Sequence, residues 1–266
     1  MLSTLRQVRY KSTIQGSAKS AESVLKLADN FWNQISVKDT SPTLTVAMNG
    51  KPLKTPSGNP IQVPETRKAL ANLIAHEWST MATLKLKNYH IPLTSLAARA
   101  IDISPEERET VAKKLLPYLD TDTLLVIAPS KDCEGKLRAD QLVKFPPVVE
   151  DAEKVWGIEP LKYLDQEICL FGNYQSDATK EAVLRWMASL DNWQFASLER
   201  ATTAARSLII GMNIALGKRT VEELAALATL DTTHQTDIWG EVEDTHDVDR
   251  VDIRRLLGAA YINAAV

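Results

Sequence analysis

A chain of 266 residues, 44% hydrophobic and 24% charged, has the make-up of a globular protein of one large or two small domains. No apolar run approaches the ~20 residues that a membrane helix needs, so no membrane insertion is expected. The net charge of −3 is uneven: residues 1–21 hold Arg6, Arg9, Lys11 and Lys19 and no acid, which leaves −7 on the rest, and an acidic body argues against nucleic acid as a partner.

Residues 1–28 are rich in Arg, Lys, Ser and Thr, and the first acid is Glu22. That is the composition of a mitochondrial import signal, so the segment is excluded from the folded body. From Phe31 the pattern turns to strand. Phe31, Ile35 and Val37 fall on one alternation, and Leu44, Val46 and Met48 on another, with Thr43, Thr45 and Ala47 facing away. Asn49-Gly50 is a two-residue hairpin turn, Lys51 to Thr55 the returning strand, Pro56–Pro60 a second turn and Ile61 to Val63 a third strand. A small antiparallel meander over residues 31–64 is therefore expected. Lys51, Lys54, Thr55 and Gly58 do not make a phosphate loop, because a strand and Pro64 follow where a helix is required.

Residues 65–82 read as a helix with Leu70, Leu73, Ile74, Trp78 and Met81 on one face, the cover such a sheet needs. His76-Glu77 opens like a zinc-protease motif, but Thr80 stands where the second histidine belongs. Pro92 to Ile101 is a second helix, with Leu93, Leu96, Ala97 and Ala100 inward. Ser104-Pro105-Glu106-Glu107 starts a third, with Ser104 as cap and Glu107 able to reach back to the cap amide. Its apolar face is Val111, Leu115 and Leu119. Asp120 and Asp122 could form an acid/base pair, though aspartate at a turn is the commoner use. Leu124 to Ile127 has strand or buried-turn character, and a loop follows at 129–135.

Lys136 to Trp156 is helical with an interruption at Pro146-Pro147, closed by Gly157. Residues 158–175 are irregular. Beyond Asp177 the chain is almost all helix. Val183, Trp186, Met187 and Leu190 form one stripe; Leu198, Ala201, Ala205, Leu208, Ile209 and Met212 form a longer one, which implies a bundle. Gly211 to Arg219 misses a Walker loop by its spacing and by Arg219 in the hydroxyl position. Gly217 reads as a helix end, and Thr220 to Glu223 as the next cap, with Leu224, Leu227 and Ala228 inward. Cys133 and Cys169 have no CxxC spacing and no nearby histidine, which suits free thiols in a reducing compartment.

The penultimate helix is read from Leu230 to Asp252. Asp231, Gln235 and Trp239 lie four apart on one face, and Glu241, Glu243, Asp244, Asp247, Asp249 and Asp252 follow. Glu243, Asp244, His246 and Asp247 are metal-ligand types, but consecutive helical positions diverge, so no metal site is expected. The stretch reads as a protein-docking surface, with Trp239 as the aromatic anchor and the acids supplying complementarity. The candidate contacts are Asp231, Gln235, Trp239, Glu241, Glu243 and Asp244. No catalytic residue and no cofactor is assigned. A small-molecule enzyme using Asp120, Asp122 or His246 is the competing reading.

The set FWNQISV, NGKPLKTPSGNPIQVP, Glu77-Trp78, IPLTSLAARAID, YLDTDTLL and LD-x3-Q-x3-WGEVED resembles the mitochondrial assembly chaperones that bind the free alpha subunit of the F-type ATP synthase head. The resemblance spans residues 31–257. It implies an α+β protein: a small N-terminal α/β domain with antiparallel strands, placed here at 29–130, and a larger C-terminal helical bundle at 131–266. It also implies a monomeric, non-enzymatic holder of the alpha subunit in the mitochondrial matrix, with the family's acidic position on Asp231. A permanent synthase subunit is the third reading.

Overall fold

The computed structural model describes residues 34–81, 90–169 and 172–265. The expected import segment and the Phe31 end of the first strand lie outside these residues. Strands β1 (Ile35–Thr40) and β2 (Thr43–Met48) form an antiparallel hairpin with Ile35 opposite Met48 and Thr40 opposite Thr43. Asn49 and Gly50, at φ 50° and 80°, then turn the chain into β3 (Lys51–Pro52). The chain leaves the sheet and returns as β4 (Gln62–Pro64) against Thr43–Thr45 of β2. So β3 and β4 share one edge of β2, which is not the expected meander. The return strand to Thr55 shrinks to two residues and a bridge between Lys54 and Pro60. Pro56 and Pro60 cannot donate to a ladder, and the excursion between them is held from elsewhere.

Helix α1 (Lys68–Ser79) covers the sheet with Leu70, Ala71, Ile74 and Trp78; Leu73 sits at the rim of that face and is exposed. Helix α2 (Pro92–Asp102) is pinned by a carboxylate at each end. At its start Glu77 accepts from the amides of Leu93 and Thr94, both 2.9 Å away, and from the Thr94 hydroxyl at 2.6 Å. The indole of Trp78 donates to that same hydroxyl. At its end Asp102 accepts from Thr55 Oγ1 and Asn59 Nδ2, each at 2.8 Å, and so fixes the 55–59 excursion. Burial raises the Glu77 carboxyl above its ordinary range. Burial also raises Asp102, but the bonds from Asn59, Thr55 and Ser57 outweigh it and hold that carboxyl low.

Helix α3 (Pro105–Leu115) is capped by Ser104 as expected. Glu107 does not reach back; it pairs with Arg99 at 2.6 Å, which also binds Glu199 at 2.8 Å. A guanidinium outcompetes a cap amide because both partners are charged. Strand β5 (Val126–Ile127) pairs in parallel with β6 (Leu164–Asp165), a short rung inside the segment expected to be irregular. Helices α4 (Lys136–Lys144) and α5 (Pro146–Trp156) meet at the proline pair, and Gly157 ends α5 at φ 64°.

Helix α6 (Asp177–Ser189) leads to α7 (Asn192–Ala205) and α8 (Leu208–Ala215). The stripe from Leu198 to Met212 is thus carried by two helices. Arg206 turns left-handed at φ 54°, and Ser207 caps the second helix through the Ile210 amide. Thr220 caps α9 (Val221–Ala228). Helix α10 (Leu230–Trp239) and the long α11 (His246–Ala265) complete the fold. The expected helix through Asp252 breaks at Gly240, whose φ 85° and ψ 160° belong to a region essentially open to glycine alone.

The buried apolar side chains fall into two clusters. The smaller joins β2, β4, α1 and Ala97. The larger runs from Leu96 through α3, α5, α7 and α8 to Ala260. Leu96 and Ala97, neighbours on α2, fall in different clusters, and Leu93 packs against both. Arg67 bridges the two parts. It donates to the carbonyls of Asn263 and Ala264 at the end of α11, pairs with Asp191 at 2.9 Å, and lies over the Trp193 ring. Replacing it (Arg67→Ala) strips charged donors from half-buried acceptors, and we expect a loss of about 2–3 kcal/mol in urea unfolding. A midpoint unchanged from wild type would show that the bridge contributes nothing.

Candidate functional site

The two aspartates that could have formed an acid/base pair have separate structural tasks. Asp120 accepts from the Gln175 amide and pairs with Lys180, both within 2.8 Å. Asp122 is fully buried. It caps the turn at Leu124 and accepts the Ile209 amide at the start of α8. Burial pushes its carboxyl up to about 6, only partly offset by bonds from Ser207, Leu124, Ile209 and Leu208. His246 lies far along the chain on α11, where its Nδ1 accepts the Val242 amide at 3.0 Å. An open groove of about 1050 Å³ is lined by residues 54–57, α2 and α7, and its carboxylates Asp102, Glu107 and Glu199 are all committed to the partners described above. Among the described residues no group of His, Cys, Asp and Glu could hold a metal ion, and no helix is long and apolar enough to cross a membrane.

The six docking candidates converge on one feature, a helical arm. Helix α10 runs out from the body, residues 240–245 turn, and the first turns of α11 return. Only Leu230 and Thr236 of α10 are buried, and α11 buries nothing before Leu257. Three links hold the arm at its root and middle. The buried Gln141 of α4 donates to Asp231 at 2.9 Å, His234 meets Asp140 at 3.0 Å, and Arg250 spans to Glu241 at 3.1 Å and to Thr236 Oγ1 at 3.2 Å. Asp231, Gln235 and Trp239, spaced four apart on α10, are all exposed, as are Glu241, Glu243 and Asp244 of the turn, although Asp231 also turns to the body through Gln141. Although Asp231 reaches solvent, the protein packed at its root raises its carboxyl above the ordinary range, against the pull of Gln141 and His234.

Sequence reading named Trp239 but missed the other apolar side chains woven through these acids. Ile238 (47% exposed), Trp239 (75%), Val242 (58%), Val248 (47%) and Val251 (65%) all lie on the arm. They are five of the eleven large hydrophobics exposed among the described residues, so the arm concentrates such surface. Their signal was present in the alternation of Val with Asp and Glu from Glu241 to Asp252. It was masked by treating the stretch as one continuous helix with a polar face.

Comparison with known proteins gives this arrangement a class. The family described as ATP12 chaperone protein matches residues 29–153. Over 235 residues, 87% of this chain and 80% of the relative, the sequence is 35% identical to the mitochondrial protein atp12 of Schizosaccharomyces pombe. Over 274 aligned positions it is also 35% identical to mitochondrial ATP12 of Saccharomyces cerevisiae, covering 90% of this chain and 84% of the relative. The fold matches the crystal structure of Atp12 from Paracoccus denitrificans with a TM-score of 0.73 at 24% identity, covering 87% of this chain and 94% of that one. The protein is of the chaperone class and not an enzyme. It belongs to the ATP12 chaperone family.

Two measurements probe this geometry. Because the folded Asp122 carboxyl titrates near 6 and the unfolded one near 3.8, the protonated fold is favoured. Its stabilisation is full below about pH 4 and is lost as pH rises through about 6. Relative to Asp122→Asn, the wild type should lose about 3 kcal/mol over that range; parallel stability curves for the two proteins would refute the assignment. In Gly240→Ala nothing crowds the added Cβ, so the cost is purely backbone strain, about 1–3 kcal/mol, confined to the arm. Hydrogen exchange across 240–245 should accelerate while the main melting transition stays within ~2 °C, since the arm buries so little.

Proposed function

We propose that this protein holds the unassembled alpha subunit of the F-type ATP synthase in the mitochondrial matrix until it pairs with beta subunit, and that the arm is the surface that holds it. Membership of the ATP12 family supports the reading, as do the mitochondrial names of the curated relatives and the basic, acid-free start of the chain. A free subunit exposes surface meant for its neighbours, and such surface aggregates unless covered. The single observation that carries the site is the gathering of Asp231, Gln235, Trp239, Glu241, Glu243 and Asp244 on one projecting, lightly rooted element. The free chaperone is proposed to be a monomer, because two arms placed face to face would oppose acid to acid.

Charge at the arm can be separated from its rooting. Among the described residues Glu243 makes no ion pair, so Glu243→Lys reverses charge without undoing a contact seen there. We expect it to weaken capture of alpha subunit about tenfold, ~1.4 kcal/mol, with an unchanged melting curve. Asp231→Asn keeps an acceptor for Gln141 and removes only charge, whereas Asp231→Lys also leaves the buried Gln141 amide unpaired. Full capture by Glu243→Lys and Asp231→Lys, both folded, would remove the arm from consideration.

A further inference from the structure

Between Asp237 and Asp252 the arm carries seven acids against one base, Arg250, a net charge of −6 with His246 neutral. Arg250 neutralises Glu241, and Arg255 pairs with Asp252 at 2.9 Å. Among the described residues, Asp237, Glu243, Asp244, Asp247 and Asp249 form no ion pair. In the described part of the body, by contrast, Asp120, Asp140, Asp151, Asp165, Asp191 and Glu199 all hold a cation. Ile238, Trp239 and Val242 lie within this uncompensated field, at the end of α10 and in the turn after it.

From this combination we infer that the arm takes a basic amphipathic segment of its client: apolar side chains rest on Ile238, Trp239 and Val242, and lysines or arginines meet the unpaired carboxylates around them. The inference rests on the arm being the client-binding surface and adds the chemistry of what it binds. A purely apolar partner would strand five unpaired charges at a dehydrated rim, which is costly. A purely basic partner would leave the indole and its neighbours in water and gain little beyond a salt-sensitive attraction. A second copy of this chain brings the same acids and is repelled. Only a partner with both characters satisfies both sets of side chains, with charge setting encounter and orientation and the aromatic anchor setting the dwell time.

The test uses the full chain and three fluorescently labelled synthetic peptides of about 18 residues, with binding read by anisotropy. One peptide is a Lys/Leu amphipathic helix, the second the same composition scrambled so that no apolar face exists, and the third the amphipathic pattern with Glu for Lys. The basic amphipathic peptide should bind at least about tenfold tighter than either control and weaken about tenfold between roughly 50 and 300 mM salt. The combined variant Ile238→Ser, Trp239→Ser, Val242→Ser, at exposed positions, should abolish that preference with an unchanged melting curve. Equal binding of the ordered and scrambled peptides would overturn the inference. So would self-association, seen by sedimentation, that the same variant abolishes. Capture of alpha subunit is measured alongside. If the variant loses capture while the peptides show no preference, the arm stands as the client site and the chemistry inferred here fails. If the peptide preference holds and is lost in the variant while capture is untouched, the inference stands and the client-site reading fails.

Discussion

The end of α11 is the point on which the position of the arm depends. A helix leaves its last carbonyls without intrahelical donors, and those of Asn263 and Ala264 are met by the guanidinium of Arg67. The Asn263 amide donates in turn to the Trp193 carbonyl and to Ser197 Oγ. Arg67 also grips Asp191, the cap of α7, so one side chain ties the sheet-bearing part, the start of a core helix and the buried end of the helix that carries the arm. Helix α11 spans 20 residues, about 30 Å. Its buried half locks into the body, and its exposed half is carried outward as a lever, so the direction of the arm is set where the lever is seated.

Carboxylates have opposite uses at the two ends of this architecture. Glu77, Asp102, Asp120 and Asp122 lie at chain reversals, each receiving backbone amides or hydroxyls that would otherwise be unsatisfied. They fasten α2 to the sheet, the 172–176 segment to the turn after α3, and α8 to the turn at Leu124. These residues lie in three of the six motifs that gave the chain its resemblance, and Asp102 holds a fourth through Thr55 and Asn59, so those motifs describe how the molecule is held together. On the arm Asp231, Glu241 and Asp252 have partners, but Asp237, Glu243, Asp244, Asp247 and Asp249 hold no cation among the described residues. What separates the two groups is the supply of donors, since the residue types are the same.

That difference also explains what could be read in advance. Caps and tight turns depend on neighbouring residues, and Asn49-Gly50, Ser104, Gly157, Gly217 and Thr220 all do what their local sequence says. The covering of the sheet by α1 followed from period alone. The failures share a non-local cause. Arg206 takes a left-handed turn because Ser207 can cap a second helix that Asp122, more than eighty residues earlier, is placed to receive. Glu107 abandons its cap for Arg99, which Glu199 has already oriented. The excursion at 55–59 obeys Asp102 on a different element. The candidate site was readable as a cluster of acids with an aromatic anchor. The apolar groups beside that anchor were not, because only the break at Gly240 makes the arm a hairpin that leaves Ile238 and Val242 exposed.

The role proposed for this protein, holding an unpaired subunit on its arm, carries conflicting demands: it must cover apolar surface long enough to prevent aggregation and must yield to the proper partner. A rigid apolar cleft would meet the first demand and fail the second. An arm that buries only Leu230 and Thr236 of its outgoing helix has little of its own stability invested in one orientation, so it can follow a client surface at small cost. Its attraction is largely charge, which speeds encounter more than it prolongs residence. A single large indole flanked by smaller apolar groups then supplies a contact that a wider, drier subunit interface can displace. On this view the sparse packing of the arm is the condition that makes release possible, and filling its exposed face to strengthen the fold would weaken the function.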